Sequence, residues 1–195
     1  MFREERSESH FTWSMLGDLG EGRPNLGPTM PVAVYRLMQF TLRDLLVQEF
    51  GVEKTDQLFY DAGRRAGAEY FAHVMQPQKD LDGFFAELQR TLKDMSIGIF
   101  RVESKDEGDG RYVVTVAEDL DCSGIPICSE EICTYDEGFL AAIFEAGLSA
   151  GLVSNGVIAH TGAQRAKLWE MREQSPEANK RIGAISSHDI SLPLS

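Results

Sequence analysis

The chain has 195 residues, enough for one domain with tails, and its 43% hydrophobic content is ordinary for a folded protein and too high for a disordered one. Its formal charge of −12, from 31 acidic against 19 basic residues, repels phosphate backbones and anionic membrane surfaces. The basic residues offer no cluster against this, only pairs such as Arg64-Arg65 and Lys180-Arg181, so no nucleic-acid partner is expected.

Residues 1–9 are charged and read as a flexible N-terminus without the apolar stretch of a secretory signal. Glycines and prolines between positions 17 and 28 predict loop, with at most a short strand over Phe11–Leu16. No GxGxxG or GxxxxGK[ST] pattern turns that loop into a phosphate cradle. A first helix is expected from about Pro31 to Phe50, closed by Gly51. Its apolar residues Val34, Leu37, Met38, Leu42, Leu45 and Leu46 recur at three- and four-residue steps. A second helix is predicted over Lys54–Met75, stopped by Pro77, with small residues including Gly63 and Gly67 that admit another backbone closely. If that small-residue face were a subunit contact, Gly67→Leu would yield monomers. The third helix, Leu81 to Met95, has the clearest period, in Leu81, Phe84, Phe85, Leu88 and Leu92, with Asp80 or Asp82 at its start.

The pattern then changes to alternation. Residues from Ile97 to Glu103 and from Tyr112 to Glu118 flank a Glu107–Gly110 turn and predict a hairpin. A loop from Asp119 to Thr134 carries all three cysteines, Cys122, Cys128 and Cys133. A helix from Tyr135 to about Ala150 should turn Phe139, Leu140, Ile143, Phe144 and Leu148 inward. Leu152–Ala159 forms either a last strand or, at Asn155-Gly156, a turn. Residues 10–162 are therefore taken as the domain, and 163–195 as a helical segment and polar tail. The expected class is α/β in the α+β sense, with helices packed on one face of a mostly antiparallel sheet. No segment reads as a membrane span, because Phe139–Ile158 is broken by Glu145, Asn155 and glycines.

Three thiols with a fourth donor would make a tetrahedral zinc site, and His160, Asp119, Asp121, Glu130 and Glu131 are at hand. The alternatives are a reversible redox role or three ordinary, partly buried thiols. An odd cysteine count argues against a secreted disulfide framework and leaves a reducing cytoplasm as the default. Neither HExxH nor GxSxG occurs, so catalytic metal or serine chemistry has no anchor.

The stretch VAEDLDCSGIPICSEEICTYDEGFLAAIFEAGLSAG, Val116 to Gly151, resembles the 4-vinyl reductase domain family, with its cysteine-bearing loop and the run Tyr135 to Ala141 around Gly138. Gly22 to Leu46 resembles that family's opening segment and first helix, so the likeness covers roughly Asp18 to Ala159. It implies the fold of haem nitric-oxide-binding domains and vesicle-tethering subunits, pairing as a homodimer through helices, and binding of a small hydrophobic molecule. Many such domains are sensors or adaptors, so no catalysis of its own is expected here; the alternatives are a reductase, or its accessory, for a tetrapyrrole-like substrate, and a purely structural dimerisation module. The pocket is expected between helices and sheet, lined by Tyr135, Phe139, Ile143 and Phe144, with Cys122, Cys128, Cys133 and His160 as the metal set. The family's closing strand carries further cysteines, whereas Ile158 to Arg165 has none and offers His160 in their place.

Overall fold

The structure is a computed structural model and describes residues 10–106, 111–126 and 132–149. The expected final strand, the C-terminal segment and the boundary at residue 162 lie outside these residues. Where a strand was predicted over Phe11–Leu16, the chain makes a 3-10 turn at Trp13–Leu16. Gly17, at φ 67°, closes it by donating its N–H to the Ser14 carbonyl, and among the described residues no strand lies alongside to pair with. The short helix α1 (Leu19–Gly22) follows, capped by the Asp18 carboxylate on the Glu21 N–H.

Helix α2 (Val32–Phe50) is preceded by Pro31 in an extended conformation. Gly51 ends it at φ 80° and immediately starts α3 (Val52–His73), so the two helices share one hinge residue. Only a residue tolerant of positive φ allows so abrupt a turn. Helix α4 (Leu81–Asp94) is capped by Asp80, whose side chain accepts from the Gly83 N–H. Strands β1 (Ile99–Asp106) and β2 (Arg111–Ala117) form a two-stranded antiparallel sheet, irregular between Val102 and Ser104. Helix α5 (Thr134–Ser149) closes the described chain.

The fold is therefore mixed α+β, with five α-helices and a small antiparallel hairpin among the described residues. The core joins Phe84, Phe85, Leu88 and Leu92 of α4 to Phe100, Val114 and Val116 of the hairpin and to Phe139, Leu140, Ile143 and Phe144 of α5. Helix α4 buries the face that its period predicts, and its Phe85 ring meets Phe100 of β1 at 5.9 Å. Among the described residues no helix is long and apolar enough to cross a membrane.

Helices α3 and α5 cross backbone against backbone. A Cβ on Gly63 would strike the Tyr135 carbonyl oxygen, one on Gly67 the Phe139 carbonyl oxygen, and one on Gly138 the Tyr60 carbonyl oxygen. The small-residue face of α3 is thus an internal crossing and not a subunit contact, because α5 already occupies it. Helix α2 departs most from expectation. Val34, Leu37, Met38, Leu42 and Leu45 are exposed, while Gln39 and Arg43 are buried. The helix turns this polar stripe inward, where Arg43 Nη2 donates to Asp56 Oδ1 at 2.7 Å.

Candidate functional site

The loop after β2 begins with Asp119, which is buried and turns the backbone onto itself. Its Oδ1 accepts from the N–H groups of Asp121 at 2.8 Å and Cys122 at 3.0 Å. The same oxygen lies 3.2 Å from Cys122 Sγ. The Leu120 N–H donates to the Ile97 carbonyl at 2.8 Å, tying the loop to the chain entering β1. Cys122 is joined to Cys133 by a disulfide that spans 11 positions and fastens the loop to the residue before α5. The odd cysteine count had argued against a disulfide framework; this pair forms because the loop returns Cys133 to Cys122, with Cα atoms 6.4 Å apart.

Helix α2 supplies the other wall. Tyr35 Oη donates to Asp121 Oδ1 at 2.7 Å. Arg36 donates through Nε to the Leu120 carbonyl at 2.8 Å and through Nη2 to the Asp119 carbonyl at 3.2 Å. Gln39 is buried beside Asp121, where its amide favours the charged carboxylate. From α5 come Thr134, Tyr135 and Asp136, the last lying against both Asp119 and Asp121. Each of the three aspartates keeps a buried Oδ2 without a donor.

Three carboxylates this close and this dry cannot all be charged. Burial pushes Asp121 up to about 6, with the Asp119 charge adding to it and the Tyr35 hydroxyl opposing. Burial also raises Asp119, against the hydrogen bonds it accepts. Asp136 is raised well above the usual carboxylate range by burial and then by the charges of Asp119 and Asp121. A proton on Asp136 supplies the donor that these facing carboxylates otherwise lack. Burial, then the Asp136 charge, pushes Tyr135 up to about 12. Burial raises Tyr35 as well, followed by the charge of Asp121.

The residues nominated for a metal are only partly assembled. Cys122 and Cys133 come together, and with Asp119 their ligand atoms lie within 4.8 Å of one another. In the disulfide neither sulfur is a thiolate, so only the reduced pair fits zinc, with Asp119 as a third donor. Cys128 and His160 lie outside the described residues. The nominated pocket residues divide. Phe139, Ile143 and Phe144 are buried in the core, with Phe139 edge-on to Tyr70 at 5.0 Å and Phe144 edge-on to Phe84 at 5.5 Å. Tyr135 is half-buried beside the aspartates.

Two open grooves lie elsewhere. One, of about 270 Å³, is lined by Phe71, Ala72, Met75, Gln76, Pro77, Gln78 and Phe84. The other, of about 360 Å³, is more polar, with Asp61, Arg64, Arg65 and Glu69 in its wall. Sequence reasoning did not single out Tyr35, Arg36 and Gln39. Their signal is polar residues at helical spacing on the stripe opposite the apolar one.

No family model matches the chain. A 61-residue stretch is 36% identical to probable mitochondrial D-2-hydroxyglutarate dehydrogenases of Oryza sativa, subspecies indica and japonica. A stretch of the same length is 41% identical to the mitochondrial D-2-hydroxyglutarate dehydrogenase of Arabidopsis thaliana. Each match covers 31% of this chain and 11% of the relative, so the chain spans about a tenth of the curated proteins it matches.

Proposed function

We propose that this chain is a small-molecule-binding adaptor domain of the 4-vinyl reductase type, without catalysis of its own, that works by pairing with a second copy. The observation that carries the binding role is the groove between the end of α3 and the start of α4. Phe71, Met75 and Pro77 supply its apolar lining, and Phe84, also in the lining, packs on Phe144 of the core. At about 270 Å³ it lies just below the usual size of a small-molecule pocket, so its occupant would be a compact apolar molecule. A ligand there would bias the packing of α4 on α5, and a partner would read that change.

Support for pairing comes from α2. All but Met95 of the exposed large apolar side chains among the described residues lie between Met15 and Leu58. Five of them, Val34, Leu37, Met38, Leu42 and Leu45, recur at helical spacing along α2. The stripe of Val34, Leu37, Met38, Leu42 and Leu45 carries no charge. Two chains of net charge −12 can approach there with the least repulsion. Matched stripes at three- and four-residue spacing suit an isologous helix pair.

Native mass spectrometry of freshly purified protein tests the binding role. It should find a retained apolar molecule, and Ala72→Trp, which fills the groove, should lose it. Failure to retain any molecule, together with no enhancement of a naphthalene-sulfonate dye that Ala72→Trp abolishes, would sink the reading.

A second reading, an accessory to an oxidoreductase, rests on the likeness to D-2-hydroxyglutarate dehydrogenases. With 11% of such an enzyme covered, the chain alone should not oxidise D-2-hydroxyglutarate with an artificial acceptor. A rise in the turnover of such a dehydrogenase when this chain is added would favour this reading over the first.

A further inference from the structure

Among the described residues, the polar tethers of α2 to the cysteine loop end on three consecutive residues. Tyr35 reaches Asp121, and Arg36 reaches the carbonyls of Leu120 and Asp119. The next residue is Cys122, whose disulfide to Cys133 fastens that turn to the start of α5. The turn on which α2 is tethered is therefore itself fastened by a covalent bond that dithiols can open.

The surroundings suit both redox states. Cys122 Sγ lies 3.2 Å from Asp119 Oδ1, an acceptor ready for a thiol S–H. When the bond is closed, that oxygen still accepts from the N–H groups of Asp121 and Cys122. Exposure sets the direction of attack. Cys122 is fully buried, whereas Cys133 is partly exposed at the end of the loop. We infer that Cys122–Cys133 is a reversible thiol lock whose reduction loosens the seat of α2.

The step balances as thiol–disulfide exchange. A thiolate of a dithiol reductant attacks Cys133 Sγ, the S–S bond breaks, and Cys122 leaves as a thiolate that takes up a proton. The reductant's second thiolate then displaces Cys133, which is protonated in turn. Two electrons and two protons enter the protein, and the reductant becomes a disulfide. Reduction also frees two thiols that can ligate a metal only in this state.

The lock stands apart from the pairing role of α2, and its test separates the two. Wild-type protein purified without reductant is alkylated after unfolding, then compared by hydrogen exchange with and without dithiothreitol. One alkylated cysteine of the three is expected, rising to three on reduction. Exchange across residues 32–50 should quicken about tenfold on reduction, with α4 nearly unchanged. Cys122→Ser should show the fast behaviour without reductant, and air oxidation should restore slow exchange in wild type only. Three alkylated cysteines in the unreduced protein, or equal α2 exchange in both states, would overturn the lock. A monomer whose α2 exchange still responds to reductant supports the lock and removes the pairing instead.

Discussion

Asp119, Asp121 and Asp136 share a dry space in which only part of their charge can be carried, and this couples the fold to pH. The folded-state pKa values of Asp121 and Asp136 are raised, the former to about 6. A raised carboxyl binds its proton more tightly in the folded state, so its stabilising contribution is complete below the unfolded value. That contribution is lost as pH rises through the folded value. The thermal midpoint of the wild type should therefore fall between about pH 4 and pH 7, a trend set by these groups. Asp136→Asn keeps the shape and supplies a permanent donor. It should raise stability at pH 7 by about 1–3 kcal/mol and flatten the profile. A thermal melt series across pH checks both, and a steeper profile in the variant would refute the shared-proton account.

At the scale of elements, the α3–α5 crossing has the least tolerance. Gly63, Gly67 and Gly138 each face a backbone carbonyl of the other helix, and backbone cannot step aside as a side chain end can. Gly67→Ala should cost about 2–4 kcal/mol, read as a shift of the urea midpoint. Gly67→Leu should fail to fold, not yield monomers. An unchanged midpoint for Gly67→Ala would mean that the helices do not cross this closely. The disulfide acts at the same scale, since closing a loop of about 11 residues contributes roughly 3 kcal/mol in the chain-entropy picture.

For the whole molecule, the question is which surface faces water. Leu37 is 67% exposed and Met38 56%, so Leu37→Glu should change monomer stability by less than about 0.5 kcal/mol. The same change places like charges across a paired stripe, so sedimentation should show wild-type dimers and variant monomers. A monomeric wild type would remove the proposed pairing.

Much of the chain's local structure was legible in its sequence. The period of Leu81 to Leu92 and the alternation flanking residues 107–110 are local patterns, and α4 and the hairpin follow them. Gly51 and Asp80 mark helix ends for reasons confined to their own turns. What sequence could not decide is which way a helix faces. The apolar stripe of α2 looks like a core face. Yet Tyr35, Arg36 and Arg43 point inward, because Asp121, two loop carbonyls and Asp56 wait there. The cysteines show the same division, since spacing allowed a zinc set or a redox pair, and only the return of the loop brought Cys122 to Cys133. Helix, strand and cap come from neighbours in sequence, so the sequence by itself determined them. The inward polar seat of α2, the shared protons and the disulfide depend on groups 11 to 86 positions apart, and only the tertiary structure could bring those together.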